Sequence, residues 1–266
     1  MLTVGATLRG TRVEVQRRDL EAEEGQDPHF FDADYSIAAA TAWVPWDGSL
    51  ASIELLRDQD SWLSDALHGK RVVELGAGTG LLGLCAAVAG ADVLLTDVST
   101  VVESVLRPNL DAHDLQSEVD VPTPPFAGPP RWRGARAVGV GSAACQALDW
   151  SAPVEAQLAP NDPRAADVIL AAECVWLNEL LVPFVTTVVT LLAADRPPEQ
   201  QRRRQHPPSR TCVLAMRDRA RPSSTTFCSA AAVLAEFGRR GVHIAERPAH
   251  GTTSFYELRC DSTAAA

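Results

Sequence analysis

The stretch RVVELGAGTG, residues 71–80, decides the fold of this chain. Its first half is a short apolar run with two valines, which is typical of a buried β-strand. Its second half places glycines where a strand must turn sharply into a helix and where a ligand must approach the backbone closely. The apolar run TGLLGLCAAVAG at 79–90 continues as a helix. We therefore predict a strand, a ligand-binding turn and a helix, in that order.

The same alternation continues on both sides of this stretch. A helix with Leu50, Ile53 and Leu56 at helical spacing precedes it, and a strand at 91–97 and a helix from about 101 to 113 follow it. The later predicted elements are strands in 144–150, 167–173 and 211–218, helices at 177–194 and 225–240, and a final antiparallel strand pair at 242–247 and 253–260. Strands that alternate with helices predict an α/β fold with a doubly wound, mostly parallel sheet.

The chain divides into an extension and one domain. Residues 1–40 form an N-terminal extension in which 2–16 alternate loosely and could make a hairpin. Residues 41–262 form the α/β domain. Segments near 118–136 and 195–210 are rich in Pro, Arg and Gln, and we expect surface insertions there.

Composition excludes several classes of function. The net charge is −10 and no dense Lys/Arg stripe is present, so we expect no nucleic-acid partner. No run reaches the roughly 18 apolar residues of a membrane span. Residues 1–25 contain no apolar stretch like that of a signal peptide, so we expect none. The six cysteines and six histidines form no metal-ligand spacing, so we expect no metal. These features together predict a protein of the cytoplasm or the nucleus. The sequence does not indicate the oligomeric state.

The glycine-rich turn allows two interpretations. Residues 78–83 satisfy GxGxxG, and Asp97 stands near the position of a ribose-binding acid, as in dinucleotide-binding folds. If the strand ends at Leu75, however, Glu74 lies at its end and faces the crevice. A carboxylate there disfavours a pyrophosphate and suits the cationic amino-acid end of S-adenosyl-L-methionine. Asp97 can accept hydrogen bonds from ribose hydroxyls with either cofactor.

Further motifs carry a resemblance to a known family. They are Trp46-Asp47-Gly48-Ser49, the loop at 73–80, Leu95-Thr96-Asp97 with Asn109, Leu148-Asp149-Trp150, and the stretch LAAECVW at 170–176. With these the chain resembles the seven-β-strand protein-lysine methyltransferases, which have a Rossmann-like sheet of seven strands and act on non-histone proteins. The resemblance implies that the cofactor S-adenosyl-L-methionine contacts Trp46, Gly76, Ala77, Gly78, Gly80, Asp97, Trp150 and Ala172. It also implies a protein substrate with a lysine acceptor.

The chain departs from the family after the fourth predicted strand of the domain. Glu173 and Trp176 stand where the family has Asp and Tyr. We take these two residues as the catalytic candidates, with Glu173 orienting the amine and Trp176 shaping its channel. The alternative is structural: Glu173 could cap the helix that begins near Leu177, and Trp176 could fill the core.

Three other functions stay open. The donor motifs do not encode the acceptor, so a small-molecule N-methyltransferase of the same fold fits equally well. A nicotinamide-dependent oxidoreductase is disfavoured because Tyr35 and Tyr256 are the only tyrosines and neither belongs to a Tyr-x-x-x-Lys pair. A scaffold without catalysis is indicated only by the altered Glu173 and Trp176.

Overall fold

The computed structural model describes residues 2–17, 41–114, 132–194, 210–218 and 224–260. The two predicted surface insertions, near 118–136 and 195–210, lie mostly outside the described residues, as do residues 18–40 of the predicted extension. The division into extension and domain therefore stays a prediction.

Two sheets are present in the described part of the chain. A small one contains β1 (Leu2–Leu8) and β2 (Thr11–Arg17), and a large one has the order β5-β6-β4-β3-β7-β8-β10-β9. The strands of the large sheet are β3 (Arg71–Leu75), β4 (Asp92–Asp97), β5 (Arg136–Val138), β6 (Gly141–Ala147), β7 (Val168–Ala172), β8 (Thr211–Met216), β9 (Val242–His250) and β10 (Thr253–Cys260).

The pairing of these strands confirms the predicted fold class. From β6 to β8 all neighbours are parallel, whereas β10 runs antiparallel to β8 and β9 runs antiparallel to β10. The sheet has eight strands among the described residues instead of the predicted seven. The additional strand is β5, which pairs with β6 across a two-residue turn. Gly139 makes that turn possible because its φ of 58° lies in the left-handed region.

Helices cover both faces of the sheet, as a doubly wound fold requires. In chain order they are α1 (Asp47–Arg57), α2 (Trp62–Leu67), α3 (Leu81–Val88), α4 (Ser99–Val101) with a π-helical segment (Val102–Leu106), α5 (Arg107–Asp114), α6 (Asn178–Ala193) and α7 (Ala230–Arg239). Alternate strand residues point to opposite faces. In β3, Val72 packs toward α1, α2 and α3, whereas Val73 packs toward α6 and α7. None of the described helices combines the length and apolar content needed to cross a bilayer.

The β1–β2 hairpin lies where a hairpin is predicted, and it packs on the α3 side of the domain. Val13 and Val15 are buried in the same core as α3, whose eight residues are all buried. Beside them, the side-chain oxygen of Asn109 in α5 accepts a hydrogen bond from the Gln16 N–H at 2.8 Å. The Asn109 side-chain amide also donates to the carbonyl of Thr79 at 2.9 Å. A single buried amide thus connects the hairpin to the glycine-rich loop.

Candidate functional site

The site lies at the carboxyl end of the parallel strands, where open α/β sheets bind ligands. A cavity of about 150 Å³ opens there, between the loop after β3, the end of β4 and the loop after β7. We call it the loop cavity. Of the predicted site residues, those that line it are Trp46, Gly76, Ala77, Gly78, Asp97, Trp150, Ala172, Glu173 and Trp176. Glu74 and Gly80 do not.

The glycine-rich loop has its backbone packed tightly against its surroundings. Gly76 and Gly78 have φ angles of 65° and 53°, which side chains rarely allow. A Cβ on Gly76 would stand 2.5 Å from the Cβ of Cys174, and one on Gly78 would stand 2.8 Å from the Ala42 carbonyl oxygen. Glycine is therefore required here both by conformation and by space, and the bare backbone forms the floor of the loop cavity.

Asp97 is held by two backbone amides at the end of β4. Its Oδ2 accepts from the N–H of Gly78 at 2.9 Å, and its Oδ1 accepts from the N–H of Val98 at 2.8 Å. Burial nevertheless raises the pKa of Asp97 to about 6, because it outweighs the stabilisation of the carboxylate by these amides. The group is ionised at neutral pH and can accept further hydrogen bonds.

The prediction that Glu74 faces the crevice is wrong. Glu74 is buried beneath α3, and a Cβ on Gly83 of that helix would stand 2.3 Å from Glu74 Oε2. Within the described structure Oε2 has no hydrogen-bond partner. Burial raises the pKa of Glu74 to about 8, so it is largely protonated at neutral pH. The charge argument against a pyrophosphate therefore fails, because Glu74 neither lines the cavity nor carries a full charge.

Gly80 does not line the loop cavity either. It precedes α3 as the N-cap residue with a φ of 81°. A Cβ on Gly80 would lie 2.7 Å from the side chain of Leu106. Gly80 serves the packing of helix against helix, although its neighbours Thr79 and Leu81 line the cavity.

Trp150 forms one wall of the loop cavity. It is only partly buried, and its ring meets that of Phe184 edge to face at a centroid distance of 5.1 Å. The indole Nε1 has no hydrogen-bond partner among the described residues. A buried indole N–H without a partner is unusual. Trp150 thus offers an apolar face together with an unused donor.

Glu173 directly follows β7 and is fixed by its surroundings. Its φ of 49° lies in the left-handed region, and its N–H donates to the carbonyl of Ala215 at 2.9 Å. Its Oε2 accepts from the N–H of Gly48 at 2.6 Å. Gly48 is the second residue of α1, so Glu173 caps α1. The cap that the structure shows for Glu173 is thus on α1, whereas the structural alternative placed it on the helix after Leu177.

Trp176 lines a second cavity of about 290 Å³ next to the first. We call it the aromatic groove. Thr41, Trp46, Glu173 and Trp176 line both cavities, so the two share a wall. Trp176 stacks on Phe227 with ring centroids 6.0 Å apart, and Phe227 is half exposed. The sequence analysis missed Phe227, because a single aromatic residue in an irregular segment carries no pattern.

Two adjacent cavities can hold two reactants against each other. The loop cavity offers bare backbone, a carboxylate and an indole, whereas the aromatic groove offers aromatic rings and the carboxylate of Glu173. In the described ranges no group of three or more His, Cys, Asp or Glu side chains could hold a metal ion.

Comparisons with known proteins agree with these observations. Residues 28–123 match a family described as "Lysine methyltransferase". The chain is 26% identical over 163 residues to the protein-lysine N-methyltransferase EFM6 of Saccharomyces cerevisiae, covering 56% of each chain. It is 31% identical over 121 residues to the mouse protein N-lysine methyltransferase METTL21A, covering 46% of this chain and 44% of the relative. The chain thus spans about half the length of these relatives.

A solved structure shares the fold. An O-methyltransferase family protein from Burkholderia thailandensis superposes with a TM-score of 0.50 at 12% identity, over 81% of this chain and 57% of that one. At such identity the likeness concerns the fold alone. The fold class and the family resemblance predicted from the motifs are both confirmed.

Proposed function

We propose, with the relationship to lysine methyltransferases as the premise, that this protein is an S-adenosyl-L-methionine-dependent protein-lysine N-methyltransferase with a non-histone protein as substrate. One observation carries the proposal. The loop cavity, which suits a nucleoside, and the aromatic groove, which suits a long cationic side chain, share the wall formed by Trp46, Glu173 and Trp176. A donor and an acceptor bound on either side of that wall would be neighbours.

The loop cavity suits the methyl donor. Asp97 offers carboxylate oxygens to ribose hydroxyls, and Gly76 and Gly78 line the same cavity with their backbone. Trp150 offers a flat wall for an adenine ring. Trp46 and Ala172 complete the lining. When bound, S-adenosyl-L-methionine supplies an electrophilic methyl group on a sulfonium.

The aromatic groove suits the acceptor. An amine attacks only with a free lone pair, whereas free lysine has a pKa of about 10.4. Apolar walls such as those of Trp46 and Trp176 lower that pKa by desolvation, and the carboxylate of Glu173 raises it by favouring the ammonium. We assign to Glu173 the capture and orientation of the incoming ammonium and to Trp176 the shaping of the channel. The residue that takes the proton is left unassigned.

We propose that the enzyme is located in the cytoplasm, and also in the nucleus, and that its substrate is another protein. The net charge of −10 supports a cationic acceptor and gives no support to a nucleic-acid partner. Fractionation of cells that express the tagged protein tests the location. Recovery in the membrane pellet would contradict it.

Radiolabelled methyl transfer tests the proposed function. Purified protein is incubated with labelled S-adenosyl-L-methionine and a cell extract, and protein and small-molecule fractions are counted separately. We expect label on lysine in a protein band and no label with the Asp97→Ala variant. Label only in small molecules would favour a small-molecule methyltransferase. Donor binding without transfer would favour a scaffold, and binding of a nicotinamide dinucleotide in place of the donor would favour an oxidoreductase.

A further inference from the structure

Two residues that lie 125 positions apart in the chain touch at the wall between the cavities. Gly48 is the second residue of α1, and Glu173 follows β7. The N–H of Gly48 is one of the groups at a helix start that find no partner within the helix. Glu173 Oε2 accepts from it at 2.6 Å, where the helix dipole also favours negative charge.

The contact depends on the absence of a side chain at position 48. A Cβ on Gly48 would stand 2.9 Å from Glu173 Cγ, and 3.4 Å from both Glu173 Oε2 and the Ala215 carbonyl oxygen. Real Cβ atoms essentially never show the first of these distances. The close atom is in the middle of the glutamate side chain, so rotating the terminal carboxylate alone would not relieve the clash.

The backbone of Glu173 has little freedom to withdraw. Its N–H is bonded to the Ala215 carbonyl at 2.9 Å, and its φ of 49° is already in the left-handed region. The Ala215 carbonyl belongs to the internal strand β8, and its oxygen would be the second neighbour of a Cβ at position 48. A side chain at position 48 must therefore displace the glutamate side chain.

We propose that Gly48 is a positioning residue, which by having no side chain seats the carboxylate of Glu173 on the first turn of α1, between the two cavities. The inference rests on the proposed function, in which Glu173 receives the acceptor amine. Glu173 stands where the resembled family has Asp, and the absence of a side chain at Gly48 leaves room for the Cγ of Glu173. The acid and the glycine form a matched pair.

The test is a double-mutant cycle with Gly48→Ala, Glu173→Ala and the double variant. We expect Gly48→Ala to lower kcat for the acceptor by at least about tenfold, since a misplacement of about 1 Å can cost a hundredfold. Donor affinity should stay within about twofold of wild type, because Asp97, Trp150 and the glycine-rich loop, which are assigned to the donor, lie outside the contact between Gly48 and Glu173. In the Glu173→Ala background, where Cγ and the carboxylate are gone, Gly48→Ala should lower kcat no further.

Thermal unfolding gives a readout that does not depend on activity. We expect Gly48→Ala to lower Tm by roughly 2–10 °C in the wild-type background. In the Glu173→Ala background it should leave Tm unchanged or raise it, because alanine favours a helix more than glycine does. Gly238→Ala is the matched control, since a Cβ at that helical position of α7 meets nothing within 4 Å.

The outcomes separate the two proposals. An equal loss of kcat or of Tm in both backgrounds would show that Gly48→Ala acts on α1 itself, and would overturn the positioning role. A loss of donor affinity as large as that of Asp97→Ala, or an unchanged kcat, would also overturn it. If the wild-type protein transfers no methyl group, the proposed function fails. The Tm values of the wild type, the two single variants and the double variant then decide whether Gly48 and Glu173 are coupled.

Discussion

The carboxylate of Asp97 accepts a hydrogen bond from the backbone N–H of Gly78 at 2.9 Å, which joins the end of β4 to the glycine-rich loop. The other oxygen accepts from Val98. Both oxygens are thus oriented before any ligand arrives, and each retains capacity for a further donor. Such preorganisation reduces the ordering that binding would otherwise require.

Asp97→Asn should weaken binding of S-adenosyl-L-methionine by about 10- to 100-fold, which corresponds to the roughly 1.5–3 kcal/mol of a hydrogen bond to a charged group. The amide would also turn an N–H₂ toward one of the two backbone donors. Calorimetric titration measures the effect. Asp60→Asn, at an exposed acid between α1 and α2, is the control and should bind like wild type. Equal affinities of Asp97→Asn and wild type would remove Asp97 from the donor site.

Donor affinity should fall as the pH drops below about 6. Burial raises the pKa of Asp97 to about 6, so the carboxylate that we propose as acceptor for the ribose hydroxyls is lost by protonation below that value. Affinity should therefore be flat above about pH 7 and decrease by up to tenfold per unit at low pH. Titrations from pH 5 to pH 8 test this, and Asp97→Asn should show a flatter profile. A wild-type profile as flat as that of the variant would contradict the assignment.

Glu74→Gln should change how stability depends on pH. The pKa of Glu74 is raised by burial from 4.5 to about 8, so folding favours its protonated form. The stability from this group is fully present below pH 4.5 and is lost as the pH rises through about 8. Relative to wild type, the variant should gain stability between pH 5 and pH 9, as measured by urea unfolding. A constant difference across that range would show that Glu74 is ionised in the folded protein.

Asn109→Ala should destabilise the fold by about 2–3 kcal/mol, because it leaves the Thr79 carbonyl and the Gln16 N–H without their buried partner. Hydrogen exchange should increase in β2 and in the loop before α3. The matched control is Gln16→Ala, which keeps the backbone groups that Asn109 binds. Its cost should be within about 0.5 kcal/mol. If the two variants behaved alike, the bridge through Asn109 would not contribute to stability.

Glu173→Ala should bind the donor normally and transfer methyl groups at least about tenfold more slowly, because it removes the carboxylate that we propose to orient the amine. The loss of the cap on α1 should also cost about 1 kcal/mol of stability. Single-turnover transfer and donor titration measure the two effects separately. Glu54→Ala, an exposed acid on the same helix, is the control. Turnover of Glu173→Ala equal to wild type would assign Glu173 to capping alone.

The order of strands and helices could be predicted from local pattern, whereas the direction of individual side chains could not. The position of Glu74 at the end of β3 follows from the sequence, but successive strand residues point to opposite faces. Glu74 shares its face with Val72 and lies under α3. Deciding between that face and the crevice requires knowing where the loop turns, which the three-dimensional packing determines.

Contacts between distant loops were also beyond sequence analysis. Glu173 was predicted as a catalytic residue and lines both cavities, but its partner Gly48 belongs to a helix 125 residues earlier. Phe227 meets Trp176 only because the segment before α7 bridges to Leu177 by one isolated β-bridge. Such pairs follow from how the chain crosses itself, and no periodicity encodes them.

The contact between Gln16 and Asn109 has a consequence for the order of folding. These residues are separated by 93 positions, and long-range contacts form late because closing a large loop of chain costs entropy. A ribosome exposes the β1–β2 hairpin well before α5. During synthesis the glycine-rich loop thus acquires its Asn109 anchor only after β3, α3 and β4 have emerged, so the loop reaches its final packing after it has itself been made.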